Sequence, residues 1–149
     1  MAIRLEALRS APDAFPSTFH AEKARPLATF EKRLEETVVY AAEGAGRLIG
    51  FCGHAVQQGD TQHHKGLVWG LYVTPASRGQ GIGKRLLQAV IADASKAVEV
   101  LQLGVGLQNR FARALFDAAG FREYGVERHA LKLADDRYID EVLMALRFR

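Results

Sequence analysis

A mixed α/β (α+β) domain is what this sequence predicts, and three stretches predict it. Two β-rich runs, Thr37–Glu43 and Arg47–Gln57, flank the turn Gly44–Gly46 and read as a hairpin. "GLVWGLYV", Gly66–Val73, is an almost unbroken apolar run, the pattern of a central strand buried on both faces. Ile82–Ala97 carries Ile82, Leu86, Val90 and Ala94 four apart, with Leu87 and Ile91 beside them, which is the stripe of an amphipathic helix.

The remaining elements fall into place around these. Residues 2–10 read as a helix, closed by Pro12 and Pro16. A second helix starts near Pro26, a residue suited to a first helical turn, with Leu27, Phe30 and Leu34 on one face. Thr61–Lys65 is a polar loop. In Val98–Gly106, Leu101, Leu103 and Val105 alternate inward as a strand requires, and the "GVG" at its end suits close packing. Asn109 is a good cap for the helix "RFARALFDAA", which Gly120 ends in the left-handed conformation glycine tolerates. Two strands, Phe121–Leu133 and Tyr138–Phe148, close the chain around the turn "ADDR". The sum is one domain, residues 1–149, with a sheet of about six strands and four flanking helices.

Composition narrows the function classes. Of the 149 residues 48% are hydrophobic and 25% charged, which excludes disorder. A formal charge of +3, spread along the chain, is compatible with an anionic small ligand and too weak for a nucleic-acid binder. The single Cys52 excludes an internal disulfide and fits a reducing compartment. No Cys/His group has metal-ligand spacing, so no metal is expected. Arg4, Glu6 and Arg9 stand where a signal peptide would be apolar, and no run approaches the ~18 apolar residues of a membrane span. A cytoplasmic protein without a membrane partner is the expectation.

The chemistry concentrates in "LYVTPASRGQGIGK", Leu71–Lys84. Glycine lets backbone approach a ligand closely. A helix start offers N–H groups without internal partners and the positive end of the dipole. Gly79, Gly81 and Gly83 feeding the helix that starts near Ile82, with Arg78 and Lys84 at the rims, therefore form a phosphate cradle. It is not a Walker A loop: Arg78 occupies the first glycine position and Arg85 the Ser/Thr position, which disfavours a nucleotide hydrolase. Nor is it a dinucleotide fingerprint, because the glycines run GxGxG.

The pattern that fits is Arg-x-x-Gly-x-Gly after a strand ending V-x-P. "YVTPASRGQGIGKRLL", Tyr72–Leu87, resembles the acetyl-CoA signature of the GNAT acetyltransferase superfamily. "NRFARALFDAAGF", Asn109–Phe121, is similar to that family's second motif, and "YIDEVLMAL", Tyr138–Leu146, to its usual final strand. The resemblance implies a GNAT-like, mostly antiparallel twisted sheet and acetyl-CoA as cosubstrate. It implies a pyrophosphate over Gly79, Gln80, Gly81, Ile82, Gly83 and Lys84, with Arg78 nearby. The pantetheine arm would lie along Leu71, Tyr72 and Val73, the Val73 N–H serving as oxyanion donor, with Asn109 and Phe116 bordering the cosubstrate. A primary amine, on a small molecule or a peptide, would attack the acetyl carbon directly in a ternary complex.

Three departures from the family pattern stand out. The helix-borne tyrosine that often protonates the departing thiolate is Phe116 here. The central strand holds no acid to serve as base; Glu43, His54, His63, His64 and Glu127 remain nearby and none is singled out. The family's first strand is short, over "MAIRL", or missing, and a missing strand would expose an edge that invites pairing with a second copy, so a monomer and a homodimer both stay open. The first two departures support an alternative, a catalytically silent acyl-CoA-binding regulatory module. The histidines read as strand-end or loop residues, Cys52 as an inert buried residue, and Asp135, Asp136, Asp140 and Glu141 as a solvated acidic turn able to attract a cationic acceptor.

Overall fold

The structure is a computed structural model that describes Ile3, Glu6 and residues 37–149. Ile3 and Glu6 are both helical, in keeping with a helix over residues 2–10, and a short strand over Met1–Leu5 fails at Ile3. The expected second helix lies outside the described residues. Among the described residues there are two complete helices, where the sequence reading has four flanking the sheet.

Six strands form one sheet in the order β1-β2-β3-β4-β6-β5. Strands β1 (Val38–Gly44) and β2 (Arg47–Val56) are the expected hairpin. Ala45 and Gly46 both have positive φ, 52° and 77°, so the two-residue turn has the twist that suits a hairpin. Strand β3 (Lys65–Val73) pairs antiparallel with β2 but not evenly: Phe51 faces Tyr72 and Gly53 faces Trp69, so Gly70 and Leu71 together oppose Cys52. This is a β-bulge, and Gly70 accommodates it with a φ of 71°. The extra residue flips the side-chain alternation. Val68 points into the main core before the bulge, Leu71 and Val73 after it, while Trp69 and Tyr72 join Phe51 on the other face.

Helix α1 (Ile82–Ala94) then leads to β4 (Val100–Gly106), and helix α2 (Arg110–Ala118) to the hairpin β5 (Arg122–Lys132) and β6 (Tyr138–Arg147). Helix α1 stops three residues short of the expected Ala97, because Lys96 and Ala97 donate to Asp93 and Ala94, the tighter i→i−3 bonds of a closing turn. Both helices pack on one face of the sheet. Leu86, Leu87, Val90 and Ala94 of α1 and Phe116 of α2 meet Leu101, Leu103, Val105, Val142 and Met144 in a single core. Each large side chain buried there contributes roughly 1.5–3 kcal/mol, enough in sum to fix where α1 starts relative to β3.

Among the described residues, one polar side chain enters this core. His54, expected near a strand end or loop, lies two residues before the end of β2 and is only 2% exposed. Its Nε2 lies 2.7 Å from Asp93 Oδ2 of α1, and the Tyr40 hydroxyl of β1 donates to Asp93 Oδ1 at 3.4 Å. The three side chains tie β1, β2 and α1 together, so His54 is a packing element rather than a free base.

Candidate functional site

The sheet opens where the sequence places its chemistry. Among the described strands β3 and β4 are the one parallel pair, and only Lys65–Leu67 and Val100–Gln102 are in register. Beyond them β3 runs on to Val73 and β4 to Gly106 without pairing to each other, while β4 stays paired with β6 on its other edge along its whole length. A gap therefore opens between the far ends of β3 and β4. Thr74 donates its N–H to Ile49 of β2 at 2.8 Å, so the alternation of a strand turns the Val73 N–H and C=O to the opposite edge, toward the gap. Leu71 shares that edge.

After Val73 the chain makes a single 3₁₀ turn, Pro75–Ser77, and enters the glycine run. Gly79 and Gly81 have φ of 81° and 78°, the left-handed region, and a Cβ on either would meet nothing within 4 Å. The turn thus needs glycine for its backbone shape and leaves open space above itself. Gly83 is different. A Cβ there would touch Leu115 and Val73 at 3.7 and 3.8 Å, so this glycine seats α1 against β3 and α2. Gly81 is the N-cap of α1, and no side chain caps the first turn or brings a carboxylate to it. Lys84 and Arg85 are exposed on that turn. An uncapped helix start behind two open glycines, with cations beside it, is a site for an anion. A groove of about 450 Å³ continues from it along the β1–β2 hairpin, lined among others by Tyr40, Glu43, Gln80, Ile82 and Arg85.

Arg78 does not stand at the rim of this turn. Its Nε donates to the Val73 carbonyl at 2.8 Å, and its guanidinium carbon lies 5.5 Å from the centre of the Tyr72 ring. The side chain folds back over the end of β3, where a carbonyl acceptor and an aromatic face satisfy it together. Asn109 acts as the cap of α2, its Oδ1 accepting the Ala112 N–H at 3.2 Å. Phe116 is 5% exposed and meets Phe121 edge-on at 5.7 Å, a core side chain. Leu71 and Val73 are half-buried against α1, and Tyr72 is buried beside Phe51.

The titratable groups left open by the sequence are scattered. His63 Nδ1 lies 3.1 Å from the Gly59 carbonyl in the loop before β3, and His64 is the last residue of that loop, at the end of β3 away from the gap. Glu43 faces the groove on the α1 side. Cys52 is buried and its thiol is pushed up to about 12, so it has no nucleophilic role. Among the described residues no three His, Cys, Asp or Glu side chains converge as metal ligands do, and no helix is long and apolar enough to cross a membrane.

The four acids at the closing hairpin separate. Asp135 and Asp136 are exposed in the turn, with the Arg137 guanidinium 2.6 Å from Asp135 holding that carboxyl below its ordinary range. Asp140 accepts the His129 N–H at 2.8 Å. Glu141 alone turns inward, onto β4 at Gly104. Its pKa is raised, first by burial and then by the facing Glu127. The sequence groups it with the turn, and only the β4–β6 register reveals its place.

Known proteins share this architecture. Residues 4–121 match the model of the acetyltransferase (GNAT) family. An N-alpha-acetyltransferase RimI from Mycobacterium tuberculosis is 29% identical over 119 residues, covering 80% of this chain and 68% of that protein. A [ribosomal protein bS18]-alanine N-acetyltransferase from Haemophilus ducreyi is 31% identical over 80 residues, 53% of this chain; the match spans only 55% of that protein's length. The crystal structure of a ribosomal-protein-alanine N-acetyltransferase from Brucella melitensis superposes with a TM-score of 0.84 at 25% identity, covering 98% of this chain and 90% of that one. A Salmonella typhimurium protein, yncA, solved with its cofactor acetyl-CoA, has the same fold, with a TM-score of 0.81 at 23% identity over 99% of this chain and 87% of its own. With a family model matched from Arg4 to Phe121 and its two motifs at the glycine turn and at α2, this chain belongs to the GNAT acetyltransferase family.

Proposed function

We propose that the chain transfers an acetyl group from acetyl-CoA to a primary amine, which attacks directly within a ternary complex. The observation that carries this reading is the start of α1: two left-handed glycines with open space above them and a first turn without a side-chain cap. Main-chain amides at Ile82, Gly83 and Lys84, behind Gly79, Gln80 and Gly81, suit a pyrophosphate. The gap-facing edge of Leu71 and Val73, with Tyr72 between them, suits the amide groups of a pantetheine arm, as an added strand would be held. Bound there, acetyl-CoA supplies an activated thioester. In this reading the Val73 N–H donates to its oxygen, Asn109 meets the pantetheine limb and Phe116 borders the thiol end. Arg78 holds the Val73 carbonyl and so fixes the strand end that presents the N–H.

The acceptor is an amine on a peptide or a small molecule. The names of the relatives make peptide α-amino groups the first acceptors to test. A second reading, a silent acyl-CoA-binding module, is favoured by two features: β3 holds no acid, and Phe116 is buried and has no proton to give a departing thiolate. That loss is tolerable for an enzyme, since a thiol of pKa ~8.5 leaves readily without a general acid.

The test has two stages. Acetyl-CoA at about 100 times its Kd should stabilise the fold by about 2.7 kcal/mol and raise the Tm accordingly. Thiol release from acetyl-CoA is then followed across alanine-initiated peptides, an Nα-blocked lysine peptide, spermidine and an aminoglycoside. Release with at least one amine is expected, and the buried Cys52 will not react with the thiol reagent in the folded protein. Binding without release from any amine would establish the silent module instead. No binding would remove the cradle itself.

A further inference from the structure

Glu141 and Gly104 meet on the face of the sheet away from α1 and α2. A Cβ on Gly104 would stand 2.8 Å from Glu141 Oε1 and 3.3 Å from its Cδ, so the carboxylate occupies the volume that any side chain at 104 would take. The face follows from the core: Val142 and Met144 enter it with Leu103 and Val105, and alternation puts Glu141 and Gly104 on the other side. On either side of the Gly70 bulge, Trp69 and Tyr72 are on that face too. The height along the strands follows from register. Continuing the β3–β4 pairs past the extra residue of the bulge brings Gly106, the cross-strand partner of Glu141, level with Leu71 and Tyr72. Glu141 thus arises one strand beyond the gap, across β4, at the level of the edge that ends in Val73, and its carboxylate leans over Gly104 toward that gap.

No described residue gives Glu141 a hydrogen bond or an ion pair. From β5 it faces Glu127, its direct cross-strand partner. From β4 it faces only Gln102, Gly104 and Gly106. Its chain neighbour Asp140 is engaged by the His129 N–H and lies 3.9 Å from Arg128. Tyr72, on the same face, donates its hydroxyl to Glu6 at 2.9 Å. A half-buried carboxylate beside another carboxylate and no described cation is matched by an incoming ammonium group.

We infer that Glu141 is the catalytic base of this site, receiving the acceptor's ammonium group at the β3–β4 gap and taking its proton, with Glu127 as a positioning residue. This rests on the acetyltransferase reading above. The ammonium gives one proton to the Glu141 carboxylate, which passes it to solvent. The freed nitrogen pair forms the N–C bond to the acetyl carbon as the C–S bond breaks. Sulfur keeps the bonding pair and ends with the second nitrogen proton, leaving an amide and a thiol. The base suits one amine class better than another. Ordinary pKa values differ by roughly 3 to 4 units between a glutamate and an α-amino group, and by roughly 6 between a glutamate and a lysine side chain. Burial and Glu127 narrow both gaps, so the α-amino group is the acceptor whose proton Glu141 takes with less difficulty.

The test compares wild type, Glu141→Gln and Glu127→Gln with an alanine-initiated peptide, or with whichever amine of the panel gives most thiol release. Glu141→Gln should lower kcat by about 10²–10⁴-fold and abolish the acid limb of the pH profile, leaving acetyl-CoA Kd unchanged. Glu127→Gln should keep kcat at alkaline pH and move the acid limb to lower pH, which a purely structural role would not do. In the free protein, the Glu141 carboxyl carbon should titrate by NMR above the ordinary glutamate range, and closer to it in Glu127→Gln. Wild-type kcat and an unmoved limb in Glu141→Gln, or an ordinary titration, would overturn the assignment while the acetyltransferase reading stands. A wild type that binds acetyl-CoA and acetylates no amine would overturn both.

Discussion

Helices α1 and α2 both follow a strand through a tight connection, and they start in opposite ways. At α2 the chain meets its own demand: Asn109 turns its side-chain oxygen onto the Ala112 N–H. At α1 the cap position is Gly81, which has no side chain to offer, and the first turn brings cations but no carboxylate. An orphaned helix start with open space before it is stable when a ligand answers it and costs little when water does. The contrast teaches that the missing cap, more than the presence of glycine, marks the site. Gly46 and Gly59 are also left-handed with no neighbour within 4 Å, and neither precedes a helix start.

The largest effect should come from filling the bare start. Gly81→Val places a branched side chain where the ligand approaches, in a conformation that costs a non-glycine residue roughly 1–2 kcal/mol. Loss of one or two charge-assisted hydrogen bonds corresponds to at least a tenfold, and up to about a thousandfold, fall in acetyl-CoA affinity by calorimetry. Gly46→Val imposes the same backbone strain in the β1–β2 turn and should lower the Tm without touching affinity. Equal affinities in the two variants would mean that the bare start holds nothing.

Next is the satisfied start. Asn109→Ala removes the cap of α2 and should cost about 1 kcal/mol, seen as a Tm lower by about 2–4 °C. Asn109→Asp keeps an oxygen for Ala112 and should keep the Tm. If Asn109 also meets the cosubstrate through its amide, the aspartate variant binds acetyl-CoA several-fold more weakly at unchanged Tm. Equal binding would confine Asn109 to its structural task and make the two helix starts fully opposite in use.

The sequence makes most of this frame legible, for local reasons. The hairpin turn, the stripe of α1, the alternation of Leu101, Leu103 and Val105, and the Asn109 and Gly120 ends of α2 are each written within a few residues, and the structure has each. What it hides depends on partners far along the chain. The bulge at Gly70 looks like an uninterrupted apolar run until Cys52 is seen opposite two residues. Arg78 sits next to the glycines in sequence, yet its guanidinium finds the Val73 carbonyl and the Tyr72 ring. His54 reads as a strand-end or loop histidine because its partner Asp93 is 39 residues away. Glu141 reads as part of an acidic turn because nothing local says that Gly104 leaves room for it.

Asp140 and Glu141 repeat the contrast of the helix starts at smaller scale, one carboxylate answered by His129 and the other by nothing described. The consequence is a pH dependence of stability with a definite sign. The fold raises the pKa of Glu141, so it favours the protonated form. The stability this group contributes is fully present below the ordinary glutamate pKa of about 4.3 and is lost as pH rises through the higher, folded value. Glu141→Gln cannot ionise. Its Tm should match that of wild type in acid, pull ahead across the interval between the two values, and hold a constant lead above it. The lead should be smaller than the effect of the Asn109 cap, because the carboxylate is half-exposed and solvent screens it. Glu127→Gln removes the second cause of the shift and should show part of the same lead. A wild-type Tm at or above that of Glu141→Gln at neutral pH would mean that a cation answers this carboxylate after all, and the acceptor's ammonium would have to be sought elsewhere.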